Sequence, residues 1–122
     1  MAADGLAGLR VLVVEDELLV AMLIEDTLAD QKCVVVGPCA SLRDALRAAA
    51  TESVDFAILD VNLAGEKVYP VAELLDQRGI PFVLLSGYGR DAIPVNHPEW
   101  QACNKPFQPE ELISVLARQA RS

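Results

Sequence analysis

Short apolar blocks alternate with amphipathic stretches along this chain. Val11-Leu12-Val13-Val14, Phe56-Ala57-Ile58-Leu59 and Phe82-Val83-Leu84-Leu85 are continuous runs with no polar interruption. Such runs mark strands buried on both faces, as in a parallel sheet. Residues 33–36 form a β-branched second run closed by Gly37-Pro38, and residues 100–104 form a weaker fifth. Between the first two, Val20, Leu23, Ile24 and Leu28 recur at helical spacing, with Glu25, Asp26 and Asp30 opposite. Ser41 with Asp44 three positions later is a capping-box pattern that opens a helix presenting Leu42, Ala45, Leu46 and Ala49. Pro70 suits the first turn of a third helix carrying Val71, Ala72, Leu74 and Leu75, and Gly79 can end it. Residues 61–67 read as a loop. Pro94 and Pro98 interrupt residues 88–97, so the fourth helix is expected to be short or broken. A last helix starts near Pro109 and presents Leu112, Ile113 and Leu116. The order βαβαβαβαβα predicts an α/β fold, a doubly wound parallel sheet with helices on both faces.

The polar residues that end these runs carry the chemistry. Glu15-Asp16 follows the first strand, Asp60 ends the third, Ser86 ends the fourth and Lys105 follows the fifth. In open parallel sheets ligands bind outside the carboxyl ends of the strands. If the first and third strands are neighbours, three carboxylates converge. Clustered anions repel one another unless a cation or protons neutralise them. The pattern therefore predicts a hard-cation site at one sheet edge, with one carboxylate free to act as a nucleophile.

With these residues placed, the chain resembles a response-regulator receiver domain of two-component signalling. The matching pieces are Val13-Val14-Glu15-Asp16-Glu17, Ile58-Leu59-Asp60-Val61-Asn62-Leu63, Ser86-Gly87 and Lys105-Pro106-Phe107. They occur in the family's order and cover nearly all of the chain. The resemblance implies a flavodoxin-like sheet of strand order 2-1-3-4-5 and a single receiver domain over residues 1–122. It implies Asp60 as phosphoacceptor and Mg²⁺ as cofactor. Asp16 and Asp60 would be direct metal ligands, Glu15 a largely water-mediated one, and the backbone carbonyl of Asn62 another. Lys105 would bring a fixed cation to the phosphoryl oxygens, and Ser86 would donate a hydrogen bond to one of them. The implied phosphodonor is a sensor histidine kinase or a histidine phosphotransfer protein, and the output is a downstream protein partner.

The chain departs from the family on its fifth strand. Where many receivers carry an aromatic switch residue, three positions before the lysine, this chain has Ala102. Tyr88, between Gly87 and Gly89, is the alternative. Residues 81–89 resemble a branch of often stand-alone receivers with a Phe-Ala-Thr-Gly-Tyr signature, here with Leu84, Leu85 and Ser86 in its first three positions. Ser86 and Tyr88 are thus the expected switch residues, and the Tyr88 ring is expected to shield the phosphoryl bond.

Composition narrows the alternatives. Ten Lys and Arg against eighteen Asp and Glu give a formal net charge of −8. That argues against direct nucleic-acid binding, which relies on cationic side chains. No apolar run approaches the roughly 20 residues that span a bilayer, and residues 1–10 show no secretory signal pattern. Cys33, Cys39 and Cys103 lack paired spacing and fit reduced thiols in a cytoplasmic protein. Met1 and the branch resemblance favour a stand-alone switch or a sink for phosphoryl groups over a receiver cut from a hybrid histidine kinase. A switch that catalyses only its own phosphorylation is favoured over a small Mg²⁺-dependent aspartyl phosphatase, because Val61-Asn62 supplies no second general acid. A non-phosphorylated interaction module would leave Asp16, Asp60 and Lys105 unexplained.

Overall fold

The computed structural model describes residues 5–120, so the outermost positions of the expected domain lie outside the described residues. Five parallel strands form the main sheet: β1 (Arg10–Val14), β2 (Val34–Cys39), β3 (Phe56–Asp60), β6 (Phe82–Ser86) and β7 (Ala102–Asn104). A separate two-stranded hairpin, β4 (Asn62–Leu63) and β5 (Glu66–Lys67), accounts for the gap in numbering. The main sheet runs β2-β1-β3-β6-β7, which is the expected 2-1-3-4-5 order. The helices are α1 (Leu18–Asp30), α2 (Leu42–Thr51), α3 (Tyr69–Gln77) and α4 (Pro109–Ala120).

Every residue of β3 and β6 is buried, as unbroken apolar runs require. Alternate side chains feed two cores. Leu12, Val14, Leu59 and Leu84 meet Ala45 and Ala49 of α2 and Val71 and Leu75 of α3. Val11, Val13, Ile58 and Val83 meet Ile24 and Leu28 of α1 and Leu112 and Leu116 of α4. Each fully buried aliphatic side chain contributes about 1.5–3 kcal/mol, so the central strands are the rigid platform for whatever stands at their ends. The capping pattern at Ser41 forms as expected, its hydroxyl accepting the Asp44 N–H at 3.1 Å.

Several elements differ from expectation. The second strand does not stop at Gly37-Pro38 but continues through them to Cys39, with the register slipping between Leu12 and Val14. Gly37 adopts φ +100°, and a Cβ there would lie 2.8 Å from the Cys39 nitrogen and 2.9 Å from the Val13 carbonyl. The position is a glycine bulge rather than a strand end. On α1 the inward side is Ala21, Ile24, Thr27 and Leu28, while Leu23 is exposed. Thr27 is tolerated there because its hydroxyl donates to the Leu23 carbonyl at 2.8 Å. The loop expected over residues 61–67 is the β4–β5 hairpin. The fifth strand is shorter than residues 100–104, starting only at Ala102.

The fourth helix is reduced to a single 3₁₀ turn, Gly89–Ala92, followed by irregular chain. That segment is nonetheless anchored. The Tyr69 hydroxyl of α3 donates to the Ala92 carbonyl. Trp100 is buried edge-on against Phe82, with ring centroids 5.1 Å apart, and the His97 ring stacks flat on it at 3.9 Å. No helix among the described residues is long and apolar enough to cross a membrane.

Candidate functional site

Strand order and register place the candidate residues at one edge. β1 and β3 are neighbours, so Glu15 and Asp16, just past β1, reach Asp60 at the end of β3. β6 pairs Leu85 with Asp60, and β7 pairs Asn104 with Ser86, which brings Lys105 to the same edge. Glu15, Asp16 and Asp60 each present a carboxylate oxygen within 4.8 Å of the others. Glu15 and Asp60 are buried, and Asp16 lies nearer solvent.

Each acid is fixed from a different direction. Glu15 Oε2 accepts the Glu17 N–H at 3.2 Å. Asp60 Oδ1 accepts the Asn62 N–H at 3.3 Å. Asp16 Oδ2 accepts the Ala64 N–H at 2.9 Å, which ties the β4–β5 hairpin to the acids. Ala64 and Gly65 have φ of +53° and +88°, the signs of a two-residue type I′ turn. The Ser86 oxygen accepts the Tyr88 N–H at 3.0 Å, leaving its hydroxyl proton to donate elsewhere.

Lys105 supplies the positive charge. Its Nζ is 3.1 Å from Glu17 Oε1 and 3.5 Å from both Glu15 Oε1 and Asp60 Oδ2. Burial works against its charge, but these carboxylates outweigh that cost and raise its pKa. Glu15 is pushed up to about 7, first by burial and then by the nearby charge of Asp60. Burial also raises Asp60, while Lys105 and the Asn62 N–H oppose the rise. One ammonium is therefore not enough to keep all the acids charged.

Glu15 Oε1 is buried without a hydrogen-bond partner. A buried anionic oxygen left unsatisfied among other carboxylate oxygens fits a divalent cation with oxygen ligands. The donor set contains only hard oxygens. Glu15, Asp16 and Asp60 are the groups whose carboxylate oxygens converge there.

Residues 11–117 match the family model described as the response regulator receiver domain. The chain belongs to the response regulator receiver family. Solved structures agree. SdrG from Sphingomonas melonis Fr1 is 36% identical, aligns over 93% of this receiver and 97% of its own chain, and has a TM-score of 0.78. A BeF3-activated conformation of SdrG, from Pseudomonas melonis Fr1, is 38% identical over 91% of this receiver and 95% of that chain, with a TM-score of 0.74. The receiver domain of PhyR from Erythrobacter litoralis is 26% identical over 93% and 90%, with a TM-score of 0.82. No curated protein sequence matches the receiver.

Tyr88 stands apart from the acids. Tyr88 is 80% exposed, so its ring is not packed into the site. Ala102 lies opposite Leu84 on β7 and adds no aromatic group. Two participants escaped the sequence reading. Glu17 enters the sequence reading only as the end of the matching stretch Val13–Glu17, with no role, yet it is the nearest acidic partner of Lys105. Ala64 sits in a segment with no strand pattern, yet its N–H holds Asp16. A cavity of about 640 Å³ opens at the opposite sheet edge, lined by Asp55, Ile80, Phe82 and Trp100, and contains none of the site acids.

Proposed function

We propose that this receiver is a phosphoacceptor of two-component signalling, with Asp60 as the residue modified. The observation that carries the proposal is the Asp60 carboxylate, buried beside Glu15 and Asp16 with the Lys105 ammonium 3.5 Å away. An Asp60 oxygen attacks the donor phosphorus and forms the acyl phosphate. The P–N bond of a phosphohistidine donor breaks, and its electron pair leaves with the imidazole, which takes a proton from solvent. Attack by water later returns Asp60 and inorganic phosphate. Lys105 stabilises the charge on the transferring phosphoryl oxygens, and the Ser86 hydroxyl donates to one of them. Mg²⁺ bound to Asp16, Asp60, the Asn62 carbonyl and, through water, Glu15 would neutralise the acids and the incoming phosphoryl charge. The chain acts on its own side chain, so it is a switch rather than an enzyme with separate substrates.

SdrG has a BeF3-activated form, and BeF3 mimics a phosphoryl group, which supports the same chemistry here. A protein donor is supported by the start of α1, directly after the acids. Leu18 and Leu19 are 73% and 78% exposed there, with Met22 and Leu23 exposed beside them. Apolar side chains clustered on a surface mark interaction sites. A sensor kinase or histidine phosphotransfer protein fits that face. The output would pass through Ser86, Tyr88 and the irregular segment after them to a downstream protein. The three cysteines are free, which fits a cytoplasmic setting.

The test is incubation with acetyl phosphate and Mg²⁺, followed by intact mass. One added phosphoryl group, absent with a chelator and absent in Asp60→Asn, is expected. Continuous turnover of phosphate esters would instead identify a phosphatase. No adduct from small donors or kinases would leave an interaction module.

A further inference from the structure

Lys105 is closest not to the buried acids but to the exposed one. Its Nζ lies 3.1 Å from Glu17 Oε1, against 3.5 Å for Glu15 and Asp60. Glu17 is the N-cap residue of α1, yet its side chain makes no capping hydrogen bond. That side chain is 64% exposed, and its contact with Lys105 is not required by the helix. The Lys105 backbone, in contrast, is fixed to the sheet edge by its N–H donating to the Ser86 carbonyl at 3.0 Å. The Lys105 ammonium thus sits between the buried pair Glu15 and Asp60 and the exposed Glu17, nearest to Glu17.

We propose that Glu17 is a positioning residue that draws Lys105 toward the mouth of the site and biases the receiver against small, highly charged phosphodonors. The proposal rests on the phosphoacceptor reading above. It follows from two effects with the same sign. A phosphoryl group entering the site needs the Lys105 ammonium, so it must compete with the Glu17 carboxylate for it. Every phosphodonor is also an anion, and Glu17 places one more negative charge at the entrance. A protein donor can offset that repulsion through its own contacts, whereas a small dianion cannot. Because the pair is exposed, the effect is modest and is screened by salt.

The experiment compares Glu17→Gln with Glu66→Gln, which removes an exposed acid from the neighbouring hairpin. Glu17→Gln should speed phosphorylation by acetyl phosphate about two- to fivefold at low ionic strength, as expected for an exposed ion pair. The gain should be smaller with phosphoramidate, which carries less negative charge, and should shrink toward none in molar salt. Glu66→Gln should change neither rate comparably. In a ¹⁵N NMR spectrum of the metal-free protein, the Lys105 ammonium signal should move in Glu17→Gln and stay in place in Glu66→Gln. Equal acceleration in both variants, or an unmoved Lys105 signal, would overturn the proposal. If the parent takes phosphoryl from no donor, the phosphoacceptor reading falls, while the Lys105 signal still decides whether Glu17 holds it.

Discussion

Glu15 Oε1 has no hydrogen-bond partner although it is buried, and Lys105 approaches it only to 3.5 Å. Glu15 titrates near 7 instead of 4.5. A group that binds its proton more tightly in the folded state stabilises that state fully below the unfolded pKa, and loses this contribution as pH rises through the folded pKa. Metal-free protein should therefore lose stability between about pH 4.5 and 7. Asp60→Asn removes the second cause of that rise, so it should stabilise the metal-free fold by about 1–2 kcal/mol at pH 8, and by less at pH 5. Thermal melts in chelator at the two pH values measure this, and saturating Mg²⁺ should narrow the gap between variant and parent. A lower melting temperature for Asp60→Asn at pH 8 would mean the acids are not in conflict. Asp60 was legible in the sequence because it directly follows an apolar run, Asp16 because it stands one residue past another, and Lys105 because it follows the expected fifth strand. Glu17 was not, since its partner lies 88 positions away and a glutamate at a helix start has a sufficient local explanation.

The segment between β6 and β7 shows how much local sequence can say about an element. Pro94 and Pro98 announced a broken helix, and the chain forms only the 3₁₀ turn. What holds the segment was not visible, because it depends on residues from α3. His97 Nε2 lies 2.9 Å from Glu73 of α3, and its Nδ1 lies 3.3 Å from Glu99. Burial lowers the His97 pKa, but the hydrogen bonds to Glu73 and Glu99 outweigh it, and the value is raised above the usual 6.5. The stability this clasp contributes is full below about 6.5 and is lost as pH rises through the higher folded value. Since the ring stacks on Trp100, its charge should quench indole emission. Trp100 fluorescence should rise with pH, with a midpoint above 6.5 that falls in Glu73→Gln. A midpoint unmoved by Glu73→Gln would show that the clasp is not formed in solution. The hairpin and the Gly37 bulge went unread for a related reason. Ala64 has no sequence preference for its positive φ, and Gly37-Pro38 ordinarily reads as a stop rather than as a kink within a strand.

Alternation of apolar runs and amphipathic stretches made the parallel sheet legible, whereas the strand order was implied only by the family resemblance, and the structure has that order. That same order gives the acids their meaning, since only neighbouring strands bring residues 15, 16 and 60 together. The chain's net charge of −8 makes the site hard for small anions to approach, which agrees with a site loaded by a docked protein. The central claim concerns a single carboxylate and can be read chemically. Phosphorylated protein treated with borohydride, then digested and sequenced by mass spectrometry, should carry homoserine at position 60, because the acyl phosphate is reduced where it formed. Reduction product at Glu15 or Asp16, or none at Asp60 in a protein whose mass shows an added phosphoryl group, would contradict the account.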